Sequence, residues 1–594
     1  MSIKNIGVFG VRLFSTKAVV MELLVASAIF RIAVAHWWPN DAPDDGRVYA
    51  QMARNMLEQH FFSHDTQAPY EPSLIRLPGY PLFLASIYSV FGHSNNGAVR
   101  VIQALMDTAT CGLIALLAFY WQPDEEKKMT SALAALALAA ICPFTTIYAA
   151  TILTEVPTMF LMVAMFLAAT LGLRKVLTTD GTEKDKRKRW KGAILWWIVA
   201  GLIGGVNVQF RPDSGLFVAA VGFTLLGVAF RVPTLVGLFG RSKSPAEAGT
   251  LNAARAHSKK IVAQVVLAGA IFSFAFALVL VPWTIRNWRV FHKFQPLSPA
   301  HGEMPGEFVP RGYELWLRTW LDDQSYVAPF LWSLDTEPIE IEQVPPYAFD
   351  SENEKLRVAT LLEAYNNRRD SDADSSTSEE PQPTPQPSPS ASPSKSSNTN
   401  AKPSPNQTKP QPSPSEQSEE EENDEEDDQS DESSTQKPEV EMTPEIDEAF
   451  GTLARERIAR HPFKFYFWLP LKRGHTMWFD THSQYWPFEG TLLPFEDLDR
   501  DHYQQFWLPL FAALTGIFTL LGVAGVWVLW SSGKLAARLA LLMTVLAMLF
   551  RLVLFSWIEN PEPRYLVEFF PLLAVLGGIA IAKFWPRANL EKPG

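Results

Sequence analysis

The sequence predicts an all-α protein that crosses a membrane about ten times. Apolar stretches of roughly 18 or more residues recur along the 594-residue chain, and this is the length that a bilayer requires of a spanning helix. Lysine and arginine concentrate in only some of the segments between these stretches. Cys111 and Cys142 each lie inside an apolar stretch, so the sequence supports neither a disulfide framework nor a thiolate metal site.

Ten stretches are long and apolar enough to be predicted as spanning helices. They cover residues 18–38, 98–120, 130–149, 156–173, 192–209, 214–231, 261–282, 506–530, 536–556 and 566–585. We interpret the first as an uncleaved helix, because it exceeds the usual signal-peptide core and contains Arg31 near its end. Asp107 lies well inside the second stretch, where a structural hydrogen bond is the favoured role and a functional role is the alternative.

The overall composition hides this pattern. The chain is 47% hydrophobic and 19% charged, with a formal charge of −11 that would suit a soluble protein. Residues 370–448 hold 22 acidic residues and four lysines, a local excess of 18 negative charges that leaves +7 for the rest. Residues 371–440 have almost no aromatic or aliphatic side chains to bury, so they are predicted to be a disordered, solvated spacer. The alternative is a tail that binds cations or a partner.

The basic loops predict the orientation of the chain. Two of them, between the fourth and fifth and between the sixth and seventh predicted spans, are rich in Lys and Arg, and the positive-inside rule places both in the cytoplasm. Both termini are then cytoplasmic, and loops 39–97 and 284–505 are extracytoplasmic. Within the first of these loops, Leu74 to Phe91 is too short for a confident crossing and is predicted to be an interfacial or re-entrant helix pair.

The predicted domain organisation therefore has three parts. Residues 1–283 form an N-terminal membrane module of about seven spans, with loop 39–97 as its functional loop. Residues 284–505 form an extracytoplasmic loop that contains the acidic insert, and residues 506–594 form a C-terminal membrane module of about three spans.

Three carboxylates crowd the loop that follows the first predicted span. Asp41, Asp44 and Asp45 lie within five residues at a lipid–water boundary, where mutual repulsion and lost solvation favour a raised proton affinity or a cation partner. Such a group suits a general base. The alternative is that Asp44 or Asp45 caps a helix that runs through Tyr49 and beyond.

Other charged residues are predicted at the same depth. Glu155 begins the fourth span, where it either favours the helix dipole or joins Asp45 as an acid pair or as an oxygen ligand for Mg²⁺ or Mn²⁺. Arg76 precedes a pair of prolines and either holds a lipid phosphate or reaches ordinary headgroups. Four further arginines on this face oppose the positive-inside trend and point to an anionic lipid headgroup: Arg211, Arg286, Arg289 and Arg564.

The sequence contains no Walker-type phosphate loop, dinucleotide fingerprint, Cys/His zinc spacing or Gly-x-Ser-x-Gly elbow. A cytosolic nucleotide is therefore not the predicted energy source, and no nucleic-acid partner is predicted.

Five motifs follow one another along the chain: Asp45-Gly-Arg-Val-Tyr49, Arg76-Leu-Pro-Gly-Tyr-Pro81, Thr154-Glu-Val-Pro157, Pro282-Trp-Thr-Ile-Arg-Asn287 and Pro563-Arg-Tyr565. Their order and placement resemble the bacterial branch of the protein-mannosyltransferase-like family, which includes the aminoarabinose transferases. The resemblance implies a C-type glycosyltransferase fold in the inner membrane of the cell envelope. It also implies that a sugar moves from a polyprenyl-phosphate lipid to an acceptor hydroxyl on the extracytoplasmic face, with inversion.

The resemblance also implies roles for individual residues. Asp45, four positions before Tyr49, matches the family's first-loop aspartate. Glu155 matches its acidic residue at the start of the fourth span, and Arg76 its basic residue before the proline pair. The family often has Asp-Glu at the first site, whereas here Asp44 precedes Asp45, and this leaves open which aspartate is the base.

The resemblance does not identify the sugar or the acceptor, which could be protein, lipid or glycan. Two other classes of function stay open. A lipid or solute transporter would also have about ten spans, but it would place ionisable sites near the midplane of both halves. A membrane scaffold would use the acidic insert to bind its partners.

Overall fold

The computed structural model describes residues 16–41, 45–178, 181–238, 245–299, 303–367, 440–479 and 502–585. Its regular elements within these ranges are helical, apart from one isolated bridge between Asn40 and Thr151. The α-helices are α1 (Thr16–Trp37), α2 (Asp45–Glu58), α3 (Gly79–Phe91), α4 (Asn96–Trp121), α5 (Lys128–Ala140), α6 (Pro143–Ala149), α7 (Glu155–Leu177), α8 (Glu183–Phe210), α9 (Gly215–Leu238), α10 (Pro245–Phe291), α11 (Arg311–Arg318), α12 (Glu352–Asn366), α13 (Pro444–Arg460), α14 (Leu469–Phe479), α15 (His502–Ser531), α16 (Leu535–Trp557) and α17 (Phe569–Phe584).

The chain is an all-α polytopic membrane protein. Eight of the described helices are long and apolar enough to cross a membrane, and they correspond to eight of the ten predicted spans: α1, α4, α7, α8, α9, α10, α15 and α16. The predicted span at 130–149 consists of two helices, α5 and α6, which are bent by 55° at the break between them and count as a ninth span if the pair crosses as one. The predicted span at 566–585 is shortened to the 16 residues of α17, because Pro563–Leu566 forms a 3-10 turn. At 1.5 Å per residue, α17 reaches only about 24 Å.

A buried ion pair stabilises the bend between α5 and α6. The Nε of Arg31 lies 2.6 Å from Oδ2 of Asp107, and both side chains are buried. The two other guanidinium nitrogens donate to the carbonyls of Ala139 and Ala140 at 3.0 Å. These carbonyls lie at the end of α5, where that of Ala139 also accepts from the Cys142 backbone N–H, and Arg31 supplies a further donor to each. The structural role predicted for Asp107 fits this network.

A small helical subdomain lies outside the spans. It is built from residues 303–367 and 440–460 around a core that includes Trp316, Trp320 and Phe450. Arg457, which is buried, pairs with Glu354 and so joins α13 to α12. Val440 is also buried in this core, so the predicted insert 371–440 overlaps the subdomain by one residue. The rest of that insert lies outside the described residues.

The helix predicted to end at residue 282 continues past the predicted boundary at residue 283. Pro282 lies inside α10, which continues to Phe291 and so carries Arg286 on a helix rather than in the loop. A proline removes one hydrogen bond but does not necessarily end a helix.

The first predicted loop contains two helices, α2 and α3, whose side chains form a core of their own around Tyr80, Leu84 and Tyr88. The predicted pair within 74–91 is therefore one helix, α3, and its partner α2 begins at the acidic cluster. The start of α3 touches the end of α8: a Cβ added to Gly79 would lie 2.5 Å from the carbonyl oxygen of Gln209. Only glycine permits this approach, which brings the Arg76 loop close to Arg211.

Candidate functional site

A polar cavity of about 500 Å³ opens where the starts of α2 and α7, the end of α8 and the turn before α17 meet. Its charged lining residues are Asp45, Arg76, Glu155, Arg211, Asp213 and Arg564. Five of these six were predicted as site residues from the sequence. The residues that line this cavity, which we call the polar cavity, are spread along the chain from position 45 to position 565.

Asp45 is the first residue of α2, and two arginines share its carboxylate. Oδ1 lies 2.7 Å from Nη2 of Arg76, and Oδ2 lies 3.0 Å from Nη1 of Arg564. Burial alone would raise the pKa of Asp45, but the charges and hydrogen bonds of the two arginines outweigh burial and lower the pKa below its ordinary value. Asp45 is therefore ionised near neutral pH.

Glu562 forms a second ion pair with Arg564. The Nε of Arg564 lies 2.7 Å from Oε2 of Glu562, whose side chain is fully buried. Burial raises the pKa of Glu562 to about 7, although the Arg564 charge opposes this shift. The sequence analysis missed Glu562, and its position two residues before Arg564, between two prolines, was the available signal.

Glu155 and Arg211 form the second charged pair of the polar cavity. Nη1 of Arg211 lies 2.7 Å from Oε1 of Glu155 and 3.5 Å from Oε1 of Glu568, and its Nε lies 3.3 Å from Asp213. Oε2 of Glu155 has no hydrogen-bond partner among the described residues. Glu155 is only 2% exposed, so this oxygen is a buried acceptor available to a bound hydroxyl or ordered water.

Arg551 supports this pair from α16. Its guanidinium lies 2.9 Å from Glu568 and also pairs with Asp213. Arg551 is fully buried inside a predicted span, and an ionisable residue in such a position is a recognisable sequence signal, although Arg551 is not among the predicted site residues. Arg211 and Arg551 are thus held in one network with shared carboxylates.

Two tyrosines complete the wall of the polar cavity. The Arg76 guanidinium lies 5.8 Å from the centre of the Tyr49 ring, and that of Arg564 lies 5.5 Å from the Tyr565 ring. Burial raises the pKa of Tyr49 to about 12, so its hydroxyl stays neutral and can donate a hydrogen bond.

Two predicted site residues are not part of this arrangement. Arg286 does not line the polar cavity: it donates to the carbonyls of Ser73 and Phe62 and lies 4.9 Å from the Trp283 ring. These contacts anchor the first loop to α10, and they place Arg286 outside the polar cavity that holds the other predicted arginines Arg76, Arg211 and Arg564. Asp44 lies outside the described residues.

The predicted Mg²⁺ or Mn²⁺ site fits these residues poorly. Divalent cations of this kind bind through several oxygen ligands, but both oxygens of Asp45 and one oxygen of Glu155 face arginines. Among the described residues no three His, Cys, Asp or Glu side chains form a group that could hold a metal ion. The arrangement suits an anion better than a cation.

A second cavity, which is strongly apolar, begins beside the polar one. It measures about 970 Å³, lies between α14, α15, α16 and α17, and includes Leu566 and Phe569, one and four residues after Tyr565. Leu471, Val523 and Val553 line it and are each more than half exposed, so it opens on the outer surface of the bundle. The sequence analysis did not predict this apolar cavity.

Comparisons of the chain with protein-family models, curated proteins and solved structures gave no match. The family and the activity therefore depend on the motif residues and on the site itself.

Proposed function

We propose that this chain is a membrane glycosyltransferase with a C-type glycosyltransferase-like bundle, which moves a sugar from a polyprenyl-phosphate donor to an acceptor hydroxyl. The observation that carries the proposal is the Asp45 carboxylate, which is shared by Arg76 and Arg564 in a cavity that adjoins an apolar one. A general base, two phosphate ligands and a site for a lipid chain then lie side by side.

The two cavities match the two halves of such a donor. A polyprenyl phosphate has a long apolar chain and an anionic head, and burial of each methylene contributes about 0.8 kcal/mol. The apolar cavity suits the chain. The guanidinium groups of Arg76, Arg211 and Arg564 suit the phosphate, because arginine donates paired hydrogen bonds to phosphate oxygens.

The donor phosphate would also change the state of the base. An aspartate held by two arginines is a weak base, because its conjugate acid is disfavoured. A phosphate in the polar cavity competes with Asp45 for Arg76 and Arg564, so the proton affinity of Asp45 returns toward its ordinary value. Donor binding and activation of the base are thereby coupled.

The proposed reaction is a single direct displacement at the anomeric carbon. Asp45 accepts the proton of the acceptor hydroxyl while the acceptor oxygen forms a bond to the anomeric carbon. The bond from that carbon to the phosphate oxygen breaks, and polyprenyl phosphate leaves with the electron pair. Arg76 and Arg564 stabilise the charge of the leaving group, and direct displacement inverts the anomeric centre.

Glu155 and Arg211 are suited to orienting the substrates. The free oxygen of Glu155 can accept a hydrogen bond from a sugar or acceptor hydroxyl, and Arg211 is held in place by Asp213 and Glu568. An error of about 1 Å in such positioning can cost a hundredfold in rate. We assign Glu155 a positioning role and Asp45 the role of base.

The experiment begins with polyprenyl phosphate, because this leaving group is the same whichever sugar the donor carries. Purified protein in nanodiscs should gain thermal stability with polyprenyl phosphate but much less with the matched polyprenol. Transfer is then measured by mass spectrometry with polyprenyl-phosphate pentoses and hexoses and an envelope extract as acceptor. Transport of intact donor across vesicles without cleavage would instead favour a lipid transporter.

A further inference from the structure

A third cavity lies at the opposite end of the bundle from the polar cavity. It measures about 590 Å³ and is bounded by the end of α7, the start of α8 and α10. Because α7 runs for 23 residues from Glu155, the two ends are about 33 Å apart. This distance places the third cavity at the other membrane surface, which the positive-inside rule assigns to the cytoplasm.

Positive charge dominates this cavity, which we call the basic cavity. Six of its twelve lining residues are cationic and one, Glu183, is acidic. The cations are Lys175, Lys184, Lys186, Arg187, Arg189 and Lys260. Glu183 is paired with Lys186 at 2.9 Å, and Asp185, one helical turn before Arg189, interacts with that guanidinium, so the cavity keeps an excess of positive charge.

Small residues on and before α8 make room for these side chains. A Cβ added to Gly192 would lie 3.3 Å from Nζ of Lys175, and one added to Gly181 would lie 3.2 Å from Nη1 of Arg189. Lys175 and Arg189 are half-buried as a result. Trp190 supplies an apolar wall at the membrane boundary.

The positive-inside rule alone does not explain this convergence. That rule requires only that cations lie on the cytoplasmic side of the span. Lys188 and Lys191 already satisfy it, because both lie on α8, are exposed and do not line the cavity. Cations from three helices around one concave space are an additional feature, and like charges held together need a counter-anion.

We propose that the basic cavity binds a phosphate-bearing anion of at least two negative charges. Basic pockets between spanning helices bind anionic lipid headgroups, and a soluble diphosphate offers the same chemistry. Lys175 and Arg189 contact the phosphates from the floor of the cavity, and Lys260 contacts them from α10. The proposal is independent of the glycosyltransferase activity.

The test uses the purified full chain in nanodiscs. One arm compares phosphatidylcholine alone with phosphatidylcholine containing cardiolipin, and the other adds sodium pyrophosphate to phosphatidylcholine nanodiscs. Thermal unfolding and native mass spectrometry report binding. A response to cardiolipin identifies a lipid headgroup, a response to pyrophosphate identifies a soluble anion, and no response in either arm overturns the proposal.

Two matched double variants show where the anion binds. Arg189→Gln/Lys260→Gln should weaken binding by about 30-fold, because each cation near a phosphate contributes roughly a factor of five. Lys188→Gln/Lys191→Gln removes the same charge outside the cavity and should leave binding unchanged. Equal losses in both would overturn the site. The single variant Lys260→Gln, at an exposed side chain, keeps the test independent of folding and should lose about fivefold.

Discussion

Asp45 and Arg564 lie 519 residues apart in the chain, yet Oδ2 of the first lies 3.0 Å from Nη1 of the second. One residue begins the helix after the first span, and the other precedes the last helix. The polar cavity therefore belongs to neither membrane module alone. Separately expressed modules should lack its central ion pair.

The variant Asp45→Asn tests whether Asp45 is the proposed general base. It keeps the size of the side chain but removes the charge, so transfer should fall by roughly 10² to 10⁴, the contribution of a general base. Binding of polyprenyl phosphate should suffer less. Initial rates with purified protein and equilibrium binding of the lipid separate the two effects.

Three further variants control this result. Asp41 is in the same loop and pairs with Arg100, so Asp41→Asn should retain turnover. Normal turnover by Asp45→Asn together with an inactive Asp44→Asn would move the base to Asp44. An inactive Glu155→Gln, with Asp45→Asn still active, would move it to Glu155.

Stability should decrease as pH rises through the mildly acidic range. Burial raises the pKa of Glu562 and that of Glu568 to about 7 from an ordinary 4.5, despite their arginine partners. Between these values the unfolded chain has lost protons that the folded chain keeps, so the free energy of unfolding falls with pH and levels off above about pH 7. The loss is on the order of 3 kcal/mol for each carboxylate.

Thermal unfolding between pH 5 and 8 measures how the free energy of unfolding changes with pH. The double variant Glu562→Gln/Glu568→Gln should flatten this dependence, whereas Glu342→Gln, at an exposed site, should not. A wild-type slope in the double variant would show that other groups cause the pH dependence. Asp45 does not contribute in this window, because its lowered pKa makes it lose its stabilising charge only at lower pH.

Removal of the acidic insert should leave folding and transfer intact. Tyr365 and Met442 both bond Asp335, so the two ends of the insert return to the same part of the subdomain. A short Gly/Ser linker in place of 371–439 should preserve the melting temperature and the transfer rate. Loss of activity with normal folding would indicate that the insert binds a substrate or a partner.

The matched control extends this deletion by three residues, to 442. It removes Val440 and Met442, which are buried in the subdomain core and each contribute roughly 1.5–3 kcal/mol. This longer deletion should lower the melting temperature. Equal melting temperatures for the two deletions would show that the core does not depend on these side chains.

Cysteine labelling tests the orientation. Cys111 and Cys142 are buried, so an impermeant thiol reagent should give little background. A cysteine at Glu342 should react in intact cells, and one at Lys188 should react only after permeabilisation, because basic loops are retained in the cytoplasm. The reverse pattern would place the polar cavity inside the cell.

The long apolar stretches predicted eight spans well, because burial in lipid requires a continuous run of apolar residues. At 566–585 the same signal predicted a longer helix than α17, because Pro563 and Arg564 take part in a 3-10 turn whose residues line the polar cavity. It did not predict the bend between α5 and α6, since a bend depends on tertiary contacts such as those of Arg31.

Charge placement predicted much of the polar cavity, since arginines on a face predicted to be extracytoplasmic oppose the positive-inside trend. It could not separate Arg286, which faces the carbonyls of the first loop, from Arg564, which faces Asp45. Periodicity and composition carry no information about which way two such side chains turn. Glu562 and Glu568 were missed because single carboxylates near a helix start are ordinary in sequence.

The contacts of Arg31 have a consequence for biosynthesis. Ser27 of the same helix accepts one of its hydrogen bonds, but the other acceptors, Asp107 and the carbonyls of Ala139 and Ala140, are synthesised between 76 and 109 residues later. Until then, α1 carries a guanidinium without its carboxylate partner, which would be costly in lipid. We expect α1 to remain beside the insertion machinery until α4 and α5 emerge, so that the three helices enter the bilayer as one group.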